Sequence, residues 1–172
     1  VTEYGIDTSD EWIHKRTGIR ERRFAEVGVF TSDLALEASK MAIESAGLQP
    51  KDIDLIILAT LSPDRHFPGT GVYLQEKLGL CEGENQNFAG CLDIRNQCSA
   101  FLYGLSTGSA LVKTGAHKNV LLVGAELHSH ALDLSTRGRN VASLFGDGAG
   151  AVVISATDED AGIRTVKLGA DG

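Results

Sequence analysis

Cys98 stands where the character of the chain changes, and a thiol so placed can serve as a nucleophile. Before it, NFAGCLDIRNQ (87–97) is a short apolar, strand-like stretch that turns polar at its end. After it, SAFLYGLSTGSALVKTG (99–115) reads as a buried helix. Leu102, Leu105, Ser109 and Val112 recur at helical spacing, and Phe101, Gly104, Gly108 and Leu111 line an adjacent face. A cysteine at a strand-to-helix junction lies near unpaired backbone N–H groups and the positive end of the helix dipole. Both favour the thiolate, which is the attacking species. A lone cysteine is more commonly a buried structural residue, and position alone leaves both readings open.

Other chemistry-bearing residues carry less by themselves. His14, Lys15, Arg16, Arg20, Arg22 and Arg23 concentrate positive charge near the start of the chain, beside Asp10, Glu11 and Glu21. Alone, this is a solvated, partly neutralised face. The glycines of FGDGAGA, at 146, 148 and 150, suggest a phosphate cradle, but an apolar strand follows them where a dinucleotide site needs a helix. A tight turn is the simpler reading. His128 and His130 flank a serine and read as loop residues, not metal ligands. Cys81, Cys91 and Cys98 form an odd set without a C-x-x-C pair, so neither a disulfide framework nor a zinc site is expected.

The elements that must position these groups alternate. Thr31 or Ser32 can cap a helix running to about residue 46, with Leu34, Ala38, Met41 and Ala42 as its apolar stripe and Gly47 beyond its end. IDLIILAT (53–60) is a nearly all-apolar run, as in a strand covered on both faces. A loop containing SPDRHFPGT follows, then a short helix with Leu74 and Leu78, stopped at Gly79. A strand over about 87–94 leads to the Cys98 helix, and VLLVGAE (120–126) is the next strand. Helix and strand in alternation predict an α/β fold with a mostly parallel sheet, whose functional groups gather at the carboxyl ends of strands. A polar, basic loop (128–140) then precedes the glycine-rich turn and another apolar strand, and IRTVKLG (163–169) is again strand-like.

The 172 residues, 42% hydrophobic and 23% charged, suit one domain. Net charge of −7 disfavours nucleic acid as a partner. No apolar run approaches the roughly 18 residues of a membrane span, and the start of the chain lacks a signal pattern. Reduced cysteines point to the cytoplasm. A beginning without Met or a first strand suggests a piece of a longer protein.

Four blocks give the chain a family. IDTSDEWIHKRTGIRERR (6–23), HFPGT (66–70), DIRNQCSAF (93–101) and LFGDGAGAVV (144–153) resemble, in order and near-family spacing, the N-terminal half of β-ketoacyl-acyl-carrier-protein synthase III, a thiolase-superfamily condensing enzyme. The resemblance covers essentially the whole chain. It implies a thiolase-like fold over 1–172, half of a layered α/β/α/β/α sandwich with a mostly parallel mixed sheet. It implies that Cys98 accepts an acyl group from acyl-CoA. That group is then condensed with malonyl-acyl carrier protein, with loss of carbon dioxide, without any cofactor or metal. Trp12 and Arg16 match positions that contact the adenine end of CoA. A second arginine of that clamp falls at Arg137 or Arg139, between which the longer STRGRN loop does not choose. Phe67 matches a residue that reaches into the partner's acyl pocket in the family's homodimer, whose two-fold edge is the strand over 87–94. Acyl carrier protein, being acidic, would be steered by the basic segment.

Departures matter as well. The family's decarboxylating His and Asn belong to the other half, so this chain alone should not complete the condensation and should expose apolar surface. Ala100 stands where the family has Gly, and Arg95, Asn96 and Gln97 stand where small apolar residues are usual. A polar approach to the nucleophile fits a branch that accepts other starters. Competing readings are a hydroxymethylglutaryl-CoA-synthase-like or ester-forming relative, and a non-catalytic CoA-binding homologue, against which the intact Cys98 speaks.

Overall fold

In a computed structural model, which describes residues 3–83 and 86–171, the organising element is β1 (Leu55–Ala59), whose five residues are all buried. It lies between β2 (Gly90–Ile94) and β3 (Asn119–Glu126), both parallel to it. β4 (Gly148–Ser155) pairs antiparallel with the far side of β3, so the order is β2-β1-β3-β4. A parallel return needs a long crossover helix. Between β3 and β4 the chain offers only short 3₁₀ turns and the four-residue α5 (Arg139–Ala142), and the strand runs back antiparallel.

Alternation along the strands divides the core. Ile56, Leu58, Leu121 and Val123 pack under α2 (Thr31–Ser45) and α3 (Gly71–Lys77). Leu55, Ile57, Val120 and Leu122 pack under α4 (Ala100–Lys113). That helix meets the sheet through its glycines. A Cβ at Gly104 would stand 2.5 Å from Leu122 Cδ1, and one at Gly108 would stand 2.8 Å from Ile154 Cδ1. Leu102, expected on the inner face, is 55% exposed.

Several expectations shift. The inward face of α2 carries Ala35, Ser39 and Ile43, with Ala42 of the expected stripe packed beside them, whereas Leu34 and Ala38 stay partly exposed and Met41 is exposed. Ser39 is hidden from a hydropathy reading, yet its hydroxyl is satisfied by the Ala35 carbonyl at 2.6 Å. The expected stripe lines an open groove of about 970 Å³ against Ala149, Ala151 and Val153. Neither Thr31 nor Ser32 caps the helix: Phe30 does, its N–H donating to Asp33. β2 is shorter than expected, because Asn87 turns inward to donate to the Lys51 and Ile53 carbonyls. Residues 163–169 form no strand; among the described residues none pairs with them. Gly47 and Gly79 do end their helices, at φ +69° and +74°.

Of the three glycines expected to form a tight turn, Gly148 and Gly150 lie within β4 and pair with β3, and only Gly146 precedes the strand, whose entry is anchored by Asp147. Its carboxylate accepts the Ala25 N–H at 2.7 Å, the Ser129 N–H at 2.8 Å and the Ser129 hydroxyl at 2.5 Å. Burial pushes this carboxyl up, but the hydrogen bonds from Ser129 and Ala25 outweigh it and hold it below the usual range. A depressed folded value adds stability above the unfolded value of about 4, and that stability is lost as pH falls through the folded value. Asp147→Asn is therefore expected to lower stability by about 2 kcal/mol at neutral pH, since hydrogen bonds to a charged group are lost. Urea unfolding should show the difference from wild type narrowing below about pH 4. A gap that stays constant to pH 2 would contradict the charge-based account.

Candidate active site

Cys98 lies in a 3₁₀ turn, Gln97–Ser99, joining β2 to α4. Gln97 adopts φ +47°, a left-handed conformation rare outside glycine, and lifts the turn away from the strand. Ser99 locks it: the hydroxyl donates to the Asn96 carbonyl at 2.9 Å and accepts from the Asn96 amide at 3.1 Å. Within this chain Cys98 is exposed, as a nucleophile requires. It borders a cleft of about 330 Å³ with Ala59, Phe101, Gly124, Glu126 and Ala149, at the carboxyl ends of β1 and β3. Ala100 begins α4 and is buried.

The lining of this cleft includes a residue the sequence did not single out. Glu126 ends β3 and accepts the Leu61 N–H at 2.8 Å and the Ser62 hydroxyl at 2.8 Å. The Ser62 oxygen in turn accepts the Leu127 N–H at 2.8 Å. The signal was available, since a carboxylate closing an otherwise apolar strand demands partners.

The other thiols differ from Cys98. Cys91 is half-buried beside α3, and burial, with Asp93 and Cys81 nearby, pushes its thiol up to about 11. All three cysteines are free. Among the described residues no group of three His, Cys, Asp or Glu side chains could hold a metal ion. His128 stacks on Phe145, with ring centroids 4.9 Å apart.

A second cluster forms around Trp12, on α1 (Asp10–Thr17), whose first turn is capped by Ser9. The Arg16 guanidinium lies over the indole at 4.2 Å from its centroid. Arg139 approaches the same ring at 5.5 Å and donates to the Asp7 carbonyl at 2.7 Å. Arg137 does not join them. It is held by Asp133 at 2.8 Å, and its side chain is 90% exposed. Ser135 and Arg137 together pull the Asp133 carboxyl down to about 2. Gly138 permits the divergence, since a Cβ there would collide with the Asp133 carbonyl at 1.9 Å.

The basic segment is not simply a solvated face. Nε and Nη2 of Arg22 are buried without a hydrogen-bond partner among the described residues, and burial lowers its guanidinium value against the opposing pull of Asp10. Phe67 is 88% exposed, in the loop between β1 and α3. No described helix is long and apolar enough to cross a membrane.

Comparison with known proteins gives the chain its relatives. A family model for 3-oxoacyl-[acyl-carrier-protein (ACP)] synthase III matches residues 92–172. The chain is 48% identical, over 99% of its length and 52% of the relative's, to a β-ketoacyl-[acyl-carrier-protein] synthase III of Halalkalibacterium halodurans. It is 50% identical, over 97% of its length and 49% of the relative's, to one of Clostridium perfringens. The crystal structure of the Thermus thermophilus synthase III superposes with a TM-score of 0.88 at 40% identity, covering 99% of this chain and 50% of that one. The chain thus spans about half the length of the curated relatives it matches. Sequence and fold together place it in the β-ketoacyl-acyl-carrier-protein synthase III family, of whose thiolase-like α/β architecture it forms the N-terminal half.

Proposed function

We propose that the protein to which this chain belongs loads an acyl group from acyl-CoA onto Cys98 and condenses it with malonyl-acyl carrier protein, in fatty-acid or related lipid synthesis. The observation that carries this reading is the placement of Cys98 in the turn that leads into α4, over the carboxyl ends of β1 and β3. There a sulfur nucleophile can meet a carbonyl presented in the cleft. The thiolate attacks the thioester carbonyl, forming a C–S bond and a tetrahedral oxyanion. A backbone N–H, that of Cys98 by preference, holds the oxyanion. The oxyanion collapses, the bond to the CoA sulfur breaks, and CoA leaves as a thiolate that takes up a proton. The condensation draws its His and Asn from the remainder of the protein.

Trp12, Arg16 and Arg139 form the adenine clamp in this reading, and Arg137 stands outside it. An indole face and guanidinium planes suit a flat base flanked by phosphates. Phe67 serves the acyl pocket of the partner in a homodimer paired along β2. The chain is one domain of a two-part sandwich, acting in the cytoplasm without cofactor, nucleic acid or membrane.

Intact mass of the longer protein after mixing with acetyl-, butyryl- and octanoyl-CoA tests the central step. An acyl adduct is expected on the wild type and none on Cys98→Ala; an equal adduct on both would overturn the assignment. Cys91, with a thiol at about 11 and therefore roughly 0.1% thiolate at pH 8, should resist alkylation in the folded protein while Cys98 reacts. Peptide mapping after brief iodoacetamide treatment reads both at once. Trp12→Ala and Arg139→Ala should each raise KM for acyl-CoA about tenfold, as expected for a desolvated cation–π contact. Arg137→Ala should change it by no more than about twofold, as a surface pair would. Equal effects at Arg137 and Arg139 would remove the distinction.

A further inference from the structure

The loop that carries Phe67 is held at its base by two carboxylates. Asp64, within the loop, accepts the Ser32 N–H at 2.9 Å and the Ser32 hydroxyl, tying the loop to the start of α2. Its own N–H donates across the base to the hydroxyl of fully buried Thr70 at 2.9 Å. Asp93 comes from β2 and grips the other side with both oxygens. The Thr70 N–H donates to Oδ2 at 2.6 Å and the Gly71 N–H donates to Oδ1 at 2.9 Å. The carboxylate fills all the space there: a Cβ at Gly69 would lie 2.8 Å from Oδ2, and one at Gly71 would lie 2.7 Å from Oδ1. Gly69 sits at φ +117°, open only to glycine.

Within its own chain Phe67 is 88% exposed, so the loop base decides where the ring is presented to the partner. Asp93 also belongs to the strand that continues through Ile94 into the Cys98 turn. One carboxylate therefore joins the strand that leads to the nucleophile to the loop that presents the aromatic ring. We infer that Asp93 is a positioning residue: it fixes Phe67 and, through that ring, the length of acyl chain the site accepts. The inference rests on the proposed acylation of Cys98 and on Phe67 walling the acyl pocket. With the grip loosened, the wall yields and longer chains gain relative to short ones.

The test compares rates of Cys98 acylation by acetyl-CoA and octanoyl-CoA, followed by intact mass, in the longer protein. Wild type, Asp93→Asn, Phe67→Ala and the double variant form a cycle. Asp93→Asn is expected to shift the octanoyl-to-acetyl ratio upward about tenfold, the scale of a small misplacement of a positioning group. In the Phe67→Ala background the same substitution should leave the ratio within about twofold. Gly71→Ala, which presses on the carboxylate and keeps it, should shift the ratio in the same direction and stands in if Asp93→Asn does not fold. A merely structural role would slow both substrates alike, or would persist without Phe67; either result overturns the inference. Wild-type adducts with an unshifted ratio in the variants sink this inference alone. Absence of any wild-type adduct sinks the acyl-transfer reading, and this with it.

Discussion

The close seating of α4 on the sheet is the constraint on which the rest depends. Gly104 and Gly108 bring helix backbone against Leu122, Val120, Ile57 and Ile154, with no room for even one methyl group. Interiors are packed to the density of organic crystals, so a helix seated this way has little freedom to slide. Its first turn therefore falls at a fixed place, over the ends of β1 and β3, where Cys98 borders a cleft lined by Glu126. The seating also explains why β2 must end at Ile94 and why the connection is so tight. Three residues of 3₁₀ turn, one of them at positive φ, are all that separate Asn96 from the helix. The Cys98 turn is positioned by packing two turns away from it.

A second theme is the use of acid residues as stitches. Asp54 accepts the N–H groups of Lys118 and Asn119, Asp93 those of Thr70 and Gly71, Asp147 those of Ala25 and Ser129, and Glu126 that of Leu61. Each joins segments far apart in sequence near the ends of strands, where backbone donors lack a ladder partner. Charge-assisted bonds are stronger than neutral ones, and a carboxylate can accept two donors at once. The acidic balance of the chain is thus partly architectural. A net charge of −7 says less about partners than about how the loops are held.

Much of this was legible because local and global signals agree. Ile53 to Thr60 reads as a strand covered on both faces, as its Leu55–Ala59 core is, and the change of periodicity at Cys98 marked the turn and the helix after it. The α2 face was misread because hydropathy favours Leu34 and Met41 over Ala35 and Ser39. A small residue makes a better contact where a helix lies close to a sheet, and a serine bonded back to its own helix is no burden inside. β2 was read too long because Asn87, in an apolar context, serves the carbonyls of Lys51 and Ile53 in place of a neighbouring strand. Arg22 looked like one basic residue among six, and nothing in its neighbours announces that its guanidinium is enclosed.

The choice between Arg137 and Arg139 shows where sequence reasoning ends. Both arginines lie in one short loop at spacings equally compatible with a clamp on Trp12. What separates them is Asp133, four residues before Arg137, and that i, i+4 relation satisfies Arg137 locally. Arg139 has no such neighbour. The sharp approach of Gly138 to the Asp133 carbonyl turns Arg139 toward α1, where Asp7 and the indole receive it. An arginine satisfied within its own loop has little reason to reach across the fold. One whose partners lie at the other end of the chain is the one that folding can recruit, and its pairing with Trp12 is a tertiary contact that no window of sequence contains.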